Sequence, residues 1–280
     1  MGALVNAYGF GPGQSLSIVN QYQLDSLLLL TGWEKIRLLP NGTIEKHHPD
    51  IYIDFNALAK GYVVDMIGRY LSGLGHSNYM VEIGGEILAY GNSPKTNQPW
   101  KIAIDDPLQG SQRKFIQTLY LKNQALASSG NYRKFRIDPD TGERYVHTIN
   151  PITGLCTASK ILSTSVKAPD CMTADAYATE LMVMPLEKSQ NLINSKSELE
   201  AYWIFSDSLE GVKEIFSKEN SSLFMQEAAT EEKVKGVDLS QYNVLLFATH
   251  GVIAGEWELL DEPALVMTPP GENASDAEDG

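Results

Sequence analysis

The sequence has no run of about 18 to 20 apolar residues, the length that a membrane-spanning helix needs. It has only two cysteines, Cys156 and Cys171, and they form neither a Cys-x-x-Cys motif nor a cluster with histidines, so zinc binding is not predicted. The first residues lack the basic start and the apolar stretch of a signal peptide. As they stand, the residues predict a soluble chain without an export signal.

Basic residues are also scarce. The 280 residues include 22 Lys and Arg against 35 Asp and Glu, a net charge of −13, and residues 226–280 alone hold 12 acidic and 2 basic residues. This charge argues against general affinity for nucleic acid. The last residues, TPPGENASDAEDG, have the composition of a solvated, disordered end. A hydrophobic fraction of 43% predicts a substantial core in the rest of the chain.

Helix and strand patterns alternate along the chain without a strict βαβ rhythm, so we predict a mixed α+β fold. Apolar residues at helical spacing predict a helix within 56–75 and another over 172–184. Alternating or β-branched runs predict strands over 79–91, 99–107, 114–122 and 161–169.

A candidate metal site follows from the second helix pattern. Asp175 and Thr179 are four residues apart, so on a helix both side chains project from one face and can reach one cation. A carboxylate and a hydroxyl suit Mg²⁺, which prefers oxygen ligands and shares them with phosphates and water. The spacing alone fits an exposed helix face or a cap equally well.

Glycines and polar turns suggest a second set of candidate residues. Gly84 and Gly85 interrupt a strand pattern, which predicts a bulge or a backbone that closely approaches a phosphate or a flat ring. In SSGNYRKF, Ser129 and Gly130 could donate hydrogen bonds to a phosphate while Arg133 supplies charge. A plain turn with a solvated arginine explains that segment as well.

A histidine completes the set. His147 stands shortly before Asn150-Pro151-Ile152-Thr153-Gly154, a predicted tight turn that could hold the imidazole in place. A purely structural histidine is the alternative.

Six motifs together resemble a known family. GALVNAYGFG, DFNALAKGYVVD, VEIGGEILAYG, ALASSGNYRKF, HTINPITG and TADAYATELMV are similar, in this order, to motifs of the ApbE family of FAD:protein FMN transferases, over residues 1 to about 220. The resemblance implies an α+β fold that binds FAD with Mg²⁺ and moves FMN, through its phosphate, onto a threonine of a partner flavoprotein, releasing AMP. Alternatives are hydrolysis of FAD to FMN and AMP, which some relatives perform, and flavin binding without catalysis.

The resemblance also implies roles for individual residues. Those roles are FAD contact for Asp54 and Lys60, Mg²⁺ ligation by the Ala57 main-chain oxygen and the Asp175 and Thr179 side chains, and positions along the flavin cleft for Gly84, Gly85, Ser129, Gly130, Arg133 and His147. For the general base we name His147 first, because its pKa can lie near neutrality, with Asp175 as the competitor.

Both ends depart from the family pattern. Met1 stands inside the family's first motif, so we expect the usual N-terminal part, with its export signal or lipoprotein anchor, to be absent. From about Phe224 the sequence resembles the start of a CHAT (caspase-like) domain, with His250 at the catalytic histidine but no cysteine after it.

We therefore predict a transferase domain over 1–222 and a partial CHAT-like segment over 223–280. The junction between them would be a genuine fusion or, the reading we favour, a truncated or mis-joined reading frame. The family suggests a location at the outer face of the bacterial cytoplasmic membrane.

Overall fold

A computed structural model describes residues 1–16, 19–108, 114–130, 135–137, 144–146, 148–156, 160–207, 211–217, 251–252 and 264–265. The helices are α1 (Gly2–Ala7), α2 (Gln21–Leu29), α3 (Ala59–Gly73), α4 (Cys171–Val183) and α5 (Leu186–Asn194), with a 3₁₀ turn at Trp33–Lys35. The strands are β1 (Ile36–Leu38), β2 (Ile44–Lys46), β3 (Tyr79–Ile83), β4 (Glu86–Tyr90), β5 (Trp100–Asp105), β6 (Phe115–Leu121), β7 (Gln124–Gly130), β8 (Phe135–Ile137), β9 (Arg144–Val146), β10 (Ile161–Ala168), β11 (Glu200–Asp207), β12 (Gly211–Phe216), β13 (Gly251–Val252) and β14 (Ala264–Leu265).

The central element is a six-stranded sheet in the order β12-β11-β10-β7-β4-β3, with every neighbouring pair antiparallel. Side chains alternate between the two faces because a strand repeats every two residues. In β11, Ala201 and Trp203 lie in one hydrophobic cluster, whereas Tyr202 and Ile204 lie in another. Both faces of the sheet are therefore covered.

Helices α3 and α4 cover one face, and the β5–β6 hairpin covers the other. The first core joins side chains of both helices to the sheet, including Val64, Leu71, Ala178, Leu181 and Trp203. The second core joins the hairpin to the sheet and includes Trp100, Ile102, Leu119, Leu121, Ile87 and Leu126. This three-layer arrangement confirms the predicted α+β class and places α3 and α4 side by side on the sheet.

The two helices begin in different ways. The Asp170 side chain caps α4 by accepting a hydrogen bond from the Thr173 N–H at 2.8 Å. Leu58 precedes α3 and offers no side-chain cap. Because the first N–H groups of a helix have no intrahelical acceptor, those of α3 need partners from elsewhere in the fold.

For two segments the structure excludes one of the predicted alternatives. Gly84 and Gly85 do not form a bulge: they are the two-residue turn between β3 and β4, with φ angles of +62° and +99°, as a type I′ hairpin turn requires. Ser129 and Gly130 do not form a plain turn, because both lie in β7 and pair with Thr164 and Ser163 of β10.

Other predictions have mixed outcomes. The Asn150 turn is confirmed, because the Gly154 N–H donates to the Asn150 carbonyl oxygen at 2.8 Å. Among the described helices none is long and apolar enough to cross a membrane. Apart from β13 and β14, the predicted CHAT-like segment lies outside the described residues.

Candidate functional site

The candidate site lies where the first turn of α3 meets α4. Gly61, the third residue of α3, donates its backbone N–H to Asp175 Oδ2 at 3.0 Å. Asp175 thus supplies an acceptor that Leu58 does not provide. The Asp175 side chain is buried, and within the described part of the chain its other oxygen, Oδ1, accepts no hydrogen bond. One carboxylate oxygen is therefore available to a ligand.

The close approach of the two helices depends on glycine. A Cβ atom built on Gly61 would lie 2.3 Å from the Cys171 carbonyl oxygen and 2.8 Å from the Met172 Cα atom. Both atoms belong to the backbone of α4 and cannot rotate away. Only glycine lets the N–H of residue 61 reach the Asp175 carboxylate.

The Ala57 carbonyl oxygen is a second open acceptor. Ala57 lies in the turn that leads into α3. The N–H four residues further on, that of Gly61, donates to Asp175 instead, and no described residue donates a hydrogen bond to the Ala57 carbonyl. This main-chain oxygen therefore has a free lone pair just before α3, four residues ahead of the N–H that bonds to Asp175.

Lys60 and Glu86 form an ion pair at the same end of α3. Lys60 Nζ lies 2.5 Å from Glu86 Oε1, and the Lys60 side chain is about half exposed whereas Glu86 is 1% exposed. Burial raises the pKa of Glu86 from 4.5 to about 7, and the nearby Asp175 carboxylate raises it further while Lys60 opposes both. Glu86 Oε2 is buried and has no hydrogen-bond partner among the described residues.

The glycine turn lies against this ion pair. A Cβ atom built on Gly84 would be 3.6 Å from Glu86 Oε2 and 3.8 Å from Lys60 Cδ, whereas one on Gly85 would meet no atom within 4 Å. The backbone of the turn is thus close to the Lys60 side chain. The space beside Gly85 is open, so a ligand could approach the backbone of the turn there.

Thr179 lies one turn beyond Asp175 on α4 and contacts the sheet. Its Oγ1 lies 3.2 Å from Ser129 Oγ, across the contact between α4 and β7. The structure therefore brings Ser129, predicted from the polar segment, to the candidate metal ligand Thr179. Gly130 follows in the same strand, whereas Arg133 and His147 lie outside the described residues.

Asp54 lies in the segment that precedes α3 by one turn. Its Oδ1 accepts a hydrogen bond from the Asn56 N–H at 2.8 Å, and its Oδ2 accepts one from the Asn56 side chain at 3.1 Å. These bonds order the approach to Ala57 and α3. The hydrogen bonds of Asp54 are local to this turn, and its charge also acts on the N-terminal amino group of Met1.

Two buried carboxylates of this region were not predicted. Glu86 pairs with Lys60, as described above. Asp65 is 6% exposed, and its two oxygens accept the N–H groups of Cys171 at 2.8 Å and of Met172 at 2.9 Å. The sequence contained a feature that could have identified each of them: Asp65 occupies an otherwise apolar helix face, and Glu86 begins an otherwise apolar strand.

The donor set suits a hard cation better than a soft one. Among the described residues no three His, Cys, Asp or Glu side chains lie close enough together to hold a metal. What is present is one carboxylate with a free oxygen, a main-chain carbonyl and a hydroxyl, from Asp175, Ala57 and Thr179. Such a set fits Mg²⁺ completed by phosphate and water oxygens, rather than a fully protein-bound zinc.

The burial of Asp175 has an electrostatic consequence. Burial raises the pKa of this carboxyl, while the Gly61 N–H and the Lys60 ammonium lower it. An added cation would stabilise the ionised form in the same way as Lys60 does. The site is therefore able to bind positive charge at its carboxylates and a negatively charged group at Lys60 and the N-terminus of α3.

Comparison with known proteins gives consistent matches. Residues 1–203 match the model of the ApbE family. Over 189 residues the chain is 40% identical to an FAD:protein FMN transferase of Vibrio cholerae, covering 67% of this chain and 55% of that protein. Over 208 residues it is 36% identical to the protein of the same name from Haemophilus influenzae, covering 73% of this chain and 59% of that one. The chain thus spans less than two thirds of these relatives' length.

Solved structures agree with the sequence matches. The flavin transferase ApbE from Vibrio cholerae superposes with a TM-score of 0.67 at 35% identity, covering 77% of this chain and 66% of that one. The ApbE protein of Thermotoga maritima superposes with a TM-score of 0.64 at 26% identity, covering 76% of this chain and 67% of that one. The fold is that of these proteins.

Proposed function

The chain belongs to the ApbE family, and from this membership we propose that it transfers FMN from FAD to a threonine of an acceptor flavoprotein, with Mg²⁺ as cofactor and AMP as product. The relatives named FAD:protein FMN transferase support the reaction class. Because the chain spans only part of their length, the activity, substrate and acceptor of the whole protein are proposals. A location at the outer face of the bacterial cytoplasmic membrane also remains a prediction.

The arrangement around the first turn of α3 is the observation that carries this proposal. Lys60 presents an ammonium group there, Asp175 presents a free carboxylate oxygen, and Ala57 presents a free carbonyl oxygen. A helix N-terminus with a lysine favours an anionic diphosphate, and the two oxygens beside it favour the cation that accompanies a diphosphate. Transfer of a nucleotide phosphoryl group needs these two kinds of contact together.

The residues fit a magnesium ion. Asp175 Oδ1, the Ala57 carbonyl oxygen and the Thr179 hydroxyl would hold it, with phosphate and water oxygens as further ligands. When bound, the ion would neutralise charge on the FAD diphosphate and on the departing AMP. The chain's own groups would orient the diphosphate through the Lys60 ammonium and the backbone of the Gly84 turn.

The proposed reaction forms one bond and breaks one. The acceptor threonine oxygen attacks the phosphorus atom of the FMN half, the bond from that phosphorus to the bridging oxygen breaks, and that oxygen leaves with AMP. The threonine proton passes to a base, for which we propose His147, with Asp175 as the alternative. Because Asp175 would carry the cation, its basicity would be lowered, which favours the imidazole.

The test uses the full chain, FAD, Mg²⁺ and a purified flavoprotein domain with a known target threonine. We expect AMP release and an acceptor mass increase equal to one FMN, both abolished by EDTA. An acceptor whose threonine is replaced by valine is the matched control and should gain no mass. AMP release without acceptor modification would instead indicate FAD hydrolysis, and binding of FAD without AMP release would indicate a flavin-binding protein.

A further inference from the structure

Helices α3 and α4 are joined by two reciprocal links through buried carboxylates. Asp175 of α4 accepts the Gly61 N–H of α3, and Asp65 of α3 accepts the Cys171 and Met172 N–H groups of α4. Each helix thus supplies an acceptor for the free N–H groups at the start of the other. As residue numbers rise along α3, those of the partners on α4 fall, so the two helices run in opposite directions.

The spacing of the links fixes more than the distance between the helices. Gly61 and Asp65 are four residues apart on α3, and Cys171 and Asp175 are four residues apart on α4, which is about 6 Å along each axis. Apolar packing holds α4 against α3 and the sheet, but this packing is not directional. Two hydrogen-bonded links one turn apart, one of them made by both oxygens of one side chain, restrict rotation and sliding of α4 further.

Asp65 bonds to the start of α4, and its described hydrogen bonds include none to the candidate metal ligands. We propose that Asp65 is a positioning residue, which sets the axial position and rotation of α4 so that Asp175 Oδ1 faces the Ala57 carbonyl oxygen. This inference rests on the proposed function, because it takes these two oxygens to be metal ligands. Groups that orient metal ligands in this way typically contribute about 10- to 100-fold to metal affinity.

The chemistry of Asp65 makes the prediction specific. A carboxylate offers an acceptor to each of two neighbouring N–H groups, whereas an amide offers one acceptor and turns an NH₂ group toward the other N–H. Asp65→Asn therefore preserves the shape of the side chain and breaks one of the two bonds. Because Asp65 makes its described hydrogen bonds with the α4 backbone alone, its replacement leaves Lys60 and the nucleotide side of the site in place.

The experiment measures metal affinity apart from turnover. Binding of Mn²⁺ to the full chain in the presence of FAD is followed by the loss of the free-ion electron paramagnetic resonance signal, and FAD binding without metal is followed by flavin fluorescence. We expect Asp65→Asn to raise the Mn²⁺ dissociation constant by about 10-fold or more and to leave FAD affinity without metal unchanged. In the transfer assay of Asp65→Asn, the metal concentration that gives half of the maximal rate should rise by the same factor. At saturating metal, kcat should equal that of the unaltered chain.

A control variant separates positioning from stability. Ser189→Ala removes a buried hydroxyl that donates to the Leu186 carbonyl oxygen in α5, away from the site. It should lower the unfolding temperature and leave the Mn²⁺ dissociation constant unchanged. Asp65→Ala, which removes both bonds, should weaken Mn²⁺ binding at least as much as Asp65→Asn, and if it fails to fold the comparison rests on Asp65→Asn.

The possible results distinguish the two proposals. If Asp65→Asn bound Mn²⁺ as tightly as the unaltered chain, or if Ser189→Ala lost as much Mn²⁺ affinity as Asp65→Asn, the positioning role of Asp65 would be wrong. The proposed function would be unaffected by either result. Failure of the unaltered chain to bind Mn²⁺ in the presence of FAD would overturn the proposed metal site and the role of Asp65 with it.

Discussion

Replacement of Gly61 by alanine tests the α3–α4 contact directly. The new Cβ atom would begin 2.3 Å from the Cys171 carbonyl oxygen, and ordinary contact starts at 3.4 Å, so the helices must separate by about 1 Å. Overpacking of this kind costs about 1 to 3 kcal/mol, and weakening the bond to the Asp175 carboxylate adds about 1.5 to 3 kcal/mol. The higher helix propensity of alanine returns about 1 kcal/mol.

We therefore expect Gly61→Ala to lower the free energy of unfolding by about 1.5 to 5 kcal/mol. The matched control is Gly73→Ala in the same helix, where a Cβ atom would meet nothing within 4 Å and the φ angle is not positive. It should raise the free energy of unfolding by about 0.4 to 1 kcal/mol.

Equilibrium urea unfolding, followed by circular dichroism, measures both changes, and equal m-values would show that the unfolded states are comparable. If Gly61→Ala lowered the free energy of unfolding and Gly73→Ala raised it, helix propensity could not be the cause of the loss, because both positions lie in the same helix. If Gly61→Ala unfolded at the same urea concentration as the parent or a higher one, the close approach of α3 and α4 would be wrong, and with it the geometry of the candidate site.

Three further predictions concern the carboxylates and the proposed base. Asp175→Asn should abolish Mg²⁺-dependent AMP release while FAD still binds, and persistent turnover would contradict the metal site. The pKa of Glu86 is about 7 in the folded state, against an ordinary value of 4.5, so between these pH values the folded state binds more protons than the unfolded state. The free energy of unfolding should therefore fall as the pH rises from 4.5 to 7, by about 3 kcal/mol in total. Glu86→Gln should flatten this pH dependence in denaturant titrations, and an unchanged slope would exclude Glu86 as its source. His147→Ala should lower the transfer rate far more than FAD affinity, and an unaltered rate would remove His147 from the mechanism.

The sequence predicted the structure correctly where the residues of a single segment determine it. The helical spacing of apolar residues predicted α3 and α4, and the spacing of Asp175 and Thr179 placed both on one helix. For the two neighbouring glycines the sequence predicted a bulge or a close backbone approach and not a hairpin turn. That turn needs φ > 0 at both positions, a feature that a strand pattern on either side does not display. For Ser129 the sequence left a phosphate contact and a plain turn open and did not predict a strand, because its partners in β10 lie far along the chain.

The sequence by itself determined the fold class, the helices that carry the candidate ligands and, through six ordered motifs, the family. Only the tertiary structure decided which groups meet, because the partners are far apart along the chain: Lys60 pairs with Glu86, and Asp65 reaches the start of α4. These carboxylates lie in apolar patterns, and the groups they bond to are distant in the sequence. Spacing along one element reports a shared face, whereas a hydrogen bond between two elements depends on how both pack on the sheet.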